Sequence, residues 1–81
     1  MSKIEKLIDR LQSKPRDFTW SELKRVLKYF GYVERKGKGS RRKFIHQDGT
    51  TIILHEPHPK PVLKIYMIEL VLQHLNLAED E

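Results

Sequence analysis

The chain has 81 residues, 16 Lys and Arg against 11 Asp and Glu, a formal net charge of +5 and no cysteine. A chain of this length supports one hydrophobic core, which excludes a multidomain protein, so we expect a single domain over residues 1–81. Without cysteine there are no disulfides and no thiolate zinc ligands, and no apolar run approaches the ~20 residues that span a bilayer. These features predict a soluble protein of the cytoplasm.

Two amphipathic helices are predicted in the first part of the chain. The first, over residues 3–13, has an apolar stripe at helical spacing. That stripe consists of Ile4, Leu7, Ile8 and Leu11. The second begins at a capping box, in which Thr19 and Glu22 satisfy each other's backbone amides. Gly31 is well placed to end this helix in a left-handed conformation.

Three short strands are predicted after Gly31, because the apolar period changes from 3.6 to 2. They cover residues 32–35, 41–46 and 51–55. A glycine-containing basic turn joins the first two strands, and Gln47-Asp48-Gly49 is a strong hairpin signal between the last two. With Gly49 as the left-handed residue of a three-residue loop, His46 pairs with Thr50.

This register decides which side chains share a face of the sheet, and it places Arg41 directly opposite His55. The side that faces the helices carries Phe44, Ile52 and Leu54. The outer side carries Arg41, Lys43 and His55, together with the apolar Ile45 and Ile53. A two-residue Asp-Gly loop would mix polar and apolar residues on both faces, so we prefer the first register. The apolar residues of the outer side indicate a surface that a partner can cover.

The last third of the chain contains a stiff connector and a third helix. Three prolines in the segment 56–61 exclude a helix or a central strand and hold the chain extended. A helix is predicted over residues 64–75, and its apolar surface is wider than one small sheet can cover. Either it is a fully buried core helix or one of its edges binds another chain. Residues 77–81 are expected to form a frayed acidic tail.

The positive charge is concentrated in one part of the chain. Residues 35–46 contain six basic and no acidic side chains, whereas residues 47–81 contain two basic and six acidic ones. The six cations are Arg35, Lys36, Lys38, Arg41, Arg42 and Lys43. They can be a solvated basic loop, but like charges this close repel one another, and we favour a polyanion such as RNA as the reason for their clustering.

Four features taken together resemble the HicA family, the toxins of toxin–antitoxin modules. They are Gly39-Ser40-Arg41 opening a strand, Asp48-Gly49 at the hairpin, His58-Pro59 in a loop, and the closing apolar helix. The resemblance implies an α+β fold like that of the double-stranded-RNA-binding domain. In it a three-stranded antiparallel sheet packs on two helices over a core at residues 19–76, and residues 1–13 add an N-terminal helix. It also implies mRNA cleavage without a metal or other cofactor, and neutralisation by a HicB-type antitoxin that covers the active face.

One residue departs from the family's pattern. After Gly39-Ser40 the better-known members carry the histidine that catalyses cleavage, and this chain has Arg41. Arginine stays protonated near neutrality, so it cannot act as a general base, although it can stabilise a phosphorane. Two interpretations stay open: a histidine from elsewhere in the chain replaces the missing one, or the protein binds RNA without cutting it.

Metal-free RNA cleavage requires a base for the ribose 2′-OH, an acid for the leaving 5′-oxygen, and cations for the developing charge. His55 and His58 are three residues apart in a proline-stiffened segment, and we predict them as base and acid with Arg41 as the catalytic cation. The predicted RNA contacts are Lys36, Lys38, Ser40, Arg42 and Lys43.

Other functions of these residues are also possible. A histidine beside prolines can simply hydrogen-bond the end of a strand or the start of a helix, and zinc binding by His46, His55 and His58 is a third option. No aromatic residue interrupts the basic segment, which argues against a platform for stacking single-stranded bases. At the level of the whole protein, the alternatives to a nuclease are a non-catalytic RNA-binding module and a purely protein-binding partner.

Overall fold

The computed structural model describes residues 3–77, and it contains three helices and one three-stranded sheet within that range. The helices are α1 (Lys3–Gln12), α2 (Trp20–Tyr29) and α3 (Ile65–His74), and the strands are β1 (Tyr32–Lys36), β2 (Arg41–His46) and β3 (Thr51–His55). The predicted fold class is confirmed: an antiparallel sheet in the order β1-β2-β3 packs on helices in a double-stranded-RNA-binding-domain-like arrangement. Of the predicted acidic tail, residues 78–81 lie beyond the described residues, and Leu77 packs against the core.

The start of α2 is fixed by the predicted capping box. The Thr19 hydroxyl accepts a hydrogen bond from the backbone N–H of Glu22, and the Glu22 carboxylate accepts one from the backbone N–H of Thr19. At the other end, Gly31 has a φ of +94°, a left-handed conformation that a residue with a side chain adopts at a cost. The chain therefore leaves α2 and enters β1 within two residues.

The hairpin between β2 and β3 has the predicted register. Arg41 pairs with His55, and Phe44 pairs with Ile52. The backbone N–H of His46 donates to the carbonyl of Thr50 at 2.8 Å, and Gly49 has a φ of +93°. The side chains therefore divide between the two faces of the sheet as expected, since successive residues of a strand point to opposite sides.

A single core lies between the sheet and the helices. From the sheet it includes Phe44, Ile52 and Leu54, which are at most 3% exposed, and the Trp20 ring meets the Phe44 ring edge-on at 5.7 Å. Helix α2 packs against β1 and helix α3 against β3, while α1 packs against both helices. None of the three helices in residues 3–77 packs on the opposite face of the sheet, and the cations of that face are exposed.

Helix α1 is joined to the rest of the fold by Arg10 as well as by the buried Leu11. The Arg10 guanidinium donates to both carboxylate oxygens of Glu22, at 2.8 and 2.9 Å, and to Asp17 at 2.6 Å. It also lies 5.4 Å from the centre of the Phe18 ring. One arginine thus connects α1 to the residue that caps α2.

We expect this cluster to make folding sensitive to acid. Partial burial raises the pKa of the Glu22 carboxyl, but hydrogen bonds from Thr19 and the charge of Arg10 outweigh it and hold the pKa below its usual 4.5. Because the folded-state pKa is the lower one, the stabilisation is complete above about pH 4.5 and is lost as the pH falls through the folded value. Glu22→Gln keeps an acceptor for the Thr19 N–H but loses the ion pair with Arg10, so it should lower the free energy of unfolding by about 1 kcal/mol at pH 7 and by less at pH 3.

Urea denaturation at both pH values measures this difference. Glu69→Gln is the matched control, because Glu69 is half exposed and its contact with Lys14 is 3.9 Å long. An equal loss of stability at pH 7 in the two variants would contradict a stabilising role of the ionised Glu22 carboxylate. The same loss for Glu22→Gln at both pH values would also contradict it.

The connector between β3 and α3 contains neither helix nor strand over residues 56–61, as its prolines predict, but the predicted extended course is wrong, because the chain bends at residues 58–60, where the His58–Pro59 peptide bond is cis. The connector is tied to the chain before α2. The backbone N–H of Trp20 donates to the carbonyl of Pro61 at 2.9 Å, and the N–H of Leu63 donates to the carbonyl of Phe18 at 2.9 Å. These bonds fix the position of the segment that carries His58. Between residues 3 and 77, none of the helices has the length and apolar character needed to cross a membrane.

Candidate functional site

The loop between β1 and β2 is a tight turn that presents polar and basic groups at one end of the sheet. The backbone N–H of Gly37 donates to the carbonyl of Arg41 at 2.9 Å, and the N–H of Arg41 donates to the carbonyl of Lys38 at 3.1 Å. A Cβ at Gly37 would lie 3.2 Å from the Arg41 carbonyl oxygen, a close approach that favours glycine. The turn leaves the Lys38 side chain in solvent.

Three of the predicted site residues meet at this end of the sheet. Arg41 and His55 are cross-strand partners, and both are exposed on the outer face. The Ser40 hydroxyl oxygen lies 3.4 Å from Nδ1 of His55, and the Ser40 carbonyl accepts a 2.8 Å hydrogen bond from the backbone N–H of Glu56. The basic turn is therefore attached directly to the end of β3, and Arg41 and His55 occupy directly opposite positions on the outer face.

His58 lies in the same cleft as His55. The cleft has a volume of about 510 Å³ and is formed by the connector and the first turn of α3. Both histidines line it, and both are exposed. His55 thus connects the two groups, since it pairs across the strands with Arg41 and lines the cleft together with His58.

The predicted RNA contacts do not all lie on one face. Lys43 is exposed on the outer face, two residues along β2 from Arg41, and its cross-strand partners are Arg35 and Ile53. Lys36 pairs with Arg42, so alternation along the strands places its side chain on the helix side, where it is exposed beyond the helices. Together with Lys38 these lysines surround the end of the sheet.

Arg42 differs from the other members of the basic segment. Its guanidinium donates to the carbonyls of Gly39 and Arg41, both at 2.9 Å, and forms ion pairs with Glu56 at 3.1 Å and Glu34 at 3.8 Å. The side chain is only 16% exposed. The structure does not bring Arg42 to the outer face, and its contacts hold the turn and the end of β3 together. The sequence alone does not distinguish it from its neighbours.

A comparison with protein-family models matches residues 20–77 to the HicA toxin of bacterial toxin–antitoxin modules. The match extends over more than half of the chain. The chain belongs to the HicA family. The matched region runs from the start of α2 to just beyond the end of α3 and does not include α1. Searches of curated proteins and of solved structures found no match.

Family membership makes this chain a HicA-type toxin and implies an antitoxin as its partner in the module. HicA proteins are ribonuclease-type toxins, so the imidazoles and cations at the end of the sheet are candidates for phosphodiester chemistry. The predicted identification is thereby confirmed at the level of the family. The assignment of individual residues rests on the geometry described above.

The other two histidines of this HicA chain lie elsewhere. His46 is at the far end of β2, about 17 Å along the strand from Arg41. Its ring packs 5.1 Å from the Tyr32 ring, and its Nδ1 lies 3.1 Å from Asp48. A zinc site made of His46, His55 and His58 therefore does not fit this geometry, and among residues 3–77 no three His, Asp or Glu side chains are grouped as metal ligands. His74 is exposed on α3.

One aromatic residue of the site was missed by sequence reasoning. Trp20 and Tyr32 are buried, at 4% and 7% exposure, in agreement with a role in the core. Tyr66, in the first turn of α3, is 64% exposed and lines the cleft that contains His55 and His58. It is separated from the basic segment by more than twenty residues, so no local pattern connects the two. Its only sequence signal is that it interrupts the apolar run of α3.

Proposed function

We propose that this HicA chain is an endoribonuclease toxin that cleaves mRNA in the cytoplasm without a metal ion. The observation that carries the proposal is the group at the open end of the sheet, where Arg41 pairs across the strands with His55 and where His58 shares the cleft with His55. Two imidazoles and a guanidinium supply the base, the acid and the charge that the reaction requires.

In the proposed reaction one imidazole removes the proton of a ribose 2′-OH, and the 2′-oxygen attacks the adjacent phosphorus. The bond from phosphorus to the 5′-oxygen breaks, and the second imidazole, as imidazolium, protonates the leaving oxygen. The products are a 2′,3′-cyclic phosphate and a 5′-hydroxyl. Arg41 stabilises the negative charge on the phosphorane oxygens, assisted by Lys43, because both remain positively charged while that charge develops.

The remaining basic side chains are proposed to hold the RNA backbone. Lys36, Lys38 and Lys43 are exposed around the end of the sheet, and the Ser40 hydroxyl lies beside His55, within reach of the same phosphate. Arg42 was predicted as a further contact, but its guanidinium is occupied by Glu56, Glu34 and two carbonyls. We therefore assign to Arg42 the support of the turn that carries the other contacts.

A HicB-type antitoxin is the proposed partner, and the outer face of the sheet is its proposed binding surface. Val33 and Ile53 are 55% and 48% exposed there. Lys43 lies across the strands between Arg35 and Ile53, and Val33 is two residues along β1 from Arg35. Exposed β-branched residues next to positive charges fit a partner surface that combines apolar and acidic groups. A protein bound to this face would also cover Arg41 and His55.

The experiment that tests this function is incubation of the purified protein with mRNA in excess EDTA. We expect cleavage to continue at the same rate as without EDTA, with 2′,3′-cyclic phosphate and 5′-hydroxyl ends that are identified by end-labelling. Salt-sensitive binding without cleavage products would instead support the non-catalytic RNA-binding module, which the arginine at position 41 keeps as a second candidate. Cleavage that stops in EDTA would contradict the proposed mechanism.

A further inference from the structure

We propose that the cleft between the connector and α3 is a subsite for one unpaired nucleobase of the RNA, with the Tyr66 ring as its stacking surface. The inference deepens the proposed function and rests on it: it specifies single-stranded RNA as the substrate class and names the residue that recognises it. The cleft of about 510 Å³ contains His55 and His58, so an RNA chain held at the histidines has a neighbouring nucleotide at the cleft.

The first argument is the exposure of an aromatic ring beside a catalytic group. Tyr66 is 64% exposed in the first turn of α3, whereas its neighbour Met67 is 3% exposed and belongs to the core. Every base has a flat π-face, and proteins that bind single-stranded nucleic acid use aromatic side chains to stack on that face. The surroundings of the ring, which include Pro57, Pro59 and Val62, provide further apolar surface.

The second argument is the distribution of charge around the cleft. Lys60 and Lys64 line it and are exposed, and within residues 3–77 neither forms an ion pair with a carboxylate. The carboxylate that lines the cleft, Glu56, is paired with Arg42 at 3.1 Å. The uncompensated charge at the cleft is thus positive, which suits the phosphates on either side of a bound nucleotide.

The third argument is that the Tyr66 ring can stack only on a base that is not part of an RNA double helix. In double-stranded RNA both faces of each base are covered by stacking, so a protein ring reaches them only in loops, bulges and single strands. Cleavage by the 2′-oxygen also needs that oxygen, the phosphorus and the 5′-oxygen in line, an alignment that a nucleotide held away from its stack can adopt. The same base contact would thus select the strand and orient the scissile linkage.

The test uses an uncleavable probe, a 2′-O-methyl oligoribonucleotide of ten residues with one 2-aminopurine in its centre, alone and annealed to its complement. With the single strand, Tyr66→Ala should raise Kd about 5- to 140-fold and remove the quenching of 2-aminopurine fluorescence that stacking causes. Tyr66→Phe should bind as the unmodified protein does, because the ring is retained. Binding of the duplex should be the same for all three proteins.

Tyr29→Ala is the matched control, since Tyr29 is 60% exposed on α2 and does not line the cleft. The proposal is overturned if Tyr66→Ala leaves single-strand binding and quenching unchanged, if it weakens single strand and duplex equally, or if it weakens only binding to the antitoxin. Circular dichroism melting of each variant shows whether the fold is intact. A Tyr66→Phe variant that binds normally beside a weak Tyr66→Ala variant separates loss of the ring from loss of folding.

The probe also separates this inference from the proposed nuclease activity. Its 2′-oxygens are blocked, so binding and quenching are measured whether or not the protein cleaves RNA. Tyr66-dependent quenching without any cleavage of natural mRNA would support the base subsite and reject the nuclease. Metal-independent cleavage with no effect of Tyr66→Ala on single-strand binding would support the nuclease and reject the base subsite.

Discussion

We expect His55→Ala and His58→Ala each to lower the rate of mRNA cleavage by about 10²–10⁴-fold, the usual contribution of one general acid or base. Both side chains are exposed, so their removal leaves no cavity in the core and the melting temperature should be unchanged. Single-turnover cleavage of a labelled mRNA at saturating protein measures the chemical step. Expression of either variant should no longer arrest growth.

The matched control is His74→Ala, which removes an exposed imidazole from α3, outside the cleft. It should cleave RNA and arrest growth as the unmodified protein does. Full activity in both the His55→Ala and the His58→Ala variant would remove the catalytic assignment. Full activity in only one of them would leave the other imidazole as a single catalyst for both proton transfers.

The second large effect is expected from Arg41. Arg41→Ala should lower the rate of the chemical step by about 10²–10³-fold, the loss typical of one fixed donor at a charged oxygen. Arg41→Lys should retain part of the activity, because the charge remains while the planar fork that can hold two oxygens is lost. RNA affinity should fall much less than the rate, because Lys36, Lys38 and Lys43 still contact the backbone in the proposed complex.

Arg25→Ala provides the control for net charge, since Arg25 is an exposed cation on α2, in the layer opposite the outer face. Equal rates for Arg41→Ala and Arg25→Ala would show that Arg41 acts only through the overall positive field. A rate loss in Arg41→Ala that disappears at saturating protein would make Arg41 a binding residue and leave the phosphorane without its assigned cation.

The residues of the proposed RNA-cleavage site lie on two strands and on the connector: Arg41 on β2, His55 on β3 and His58 in the connector. The resemblance found in the sequence implies that the better-known family members carry their catalytic histidine at the position after Gly-Ser, where this chain has Arg41. The register brings that arginine opposite His55 and within the same turn as Ser40, which lies 3.4 Å from the imidazole. An imidazole and a permanent cation are thus cross-strand neighbours although their positions in the sequence differ by fourteen.

Local sequence patterns were sufficient for the helices, the hairpin and the register. The capping box at Thr19 and Glu22 and the glycine at position 49 are devices whose partners lie within a few residues, so their geometry follows from the chain itself. The grouping of Phe44, Ile52 and Leu54 on one side of the hairpin then decided which face was buried. Once the register was fixed, the pairing of Arg41 with His55 followed.

The roles of individual charged residues could not be obtained in this way. Arg10 and Arg42 look like any other cation in the sequence, yet Arg10 joins α1 to Glu22 and Arg42 joins the basic turn to Glu56. Each pair is separated by at least twelve residues, and no periodicity encodes such a contact. Which cations are free to meet a substrate therefore depends on which carboxylates the fold brings near them.

By itself the sequence determined the order of elements, the face of the sheet that is buried, and the identity of the residues opposite one another in the hairpin, because these follow from local turn chemistry and apolar periodicity. Only the tertiary structure decided that His58 and Tyr66 share a cleft with His55, and that Arg42 is withdrawn from the outer face. The reason is that these contacts depend on where the connector docks, and its backbone hydrogen bonds to Phe18 and Trp20 fix that position across more than forty residues.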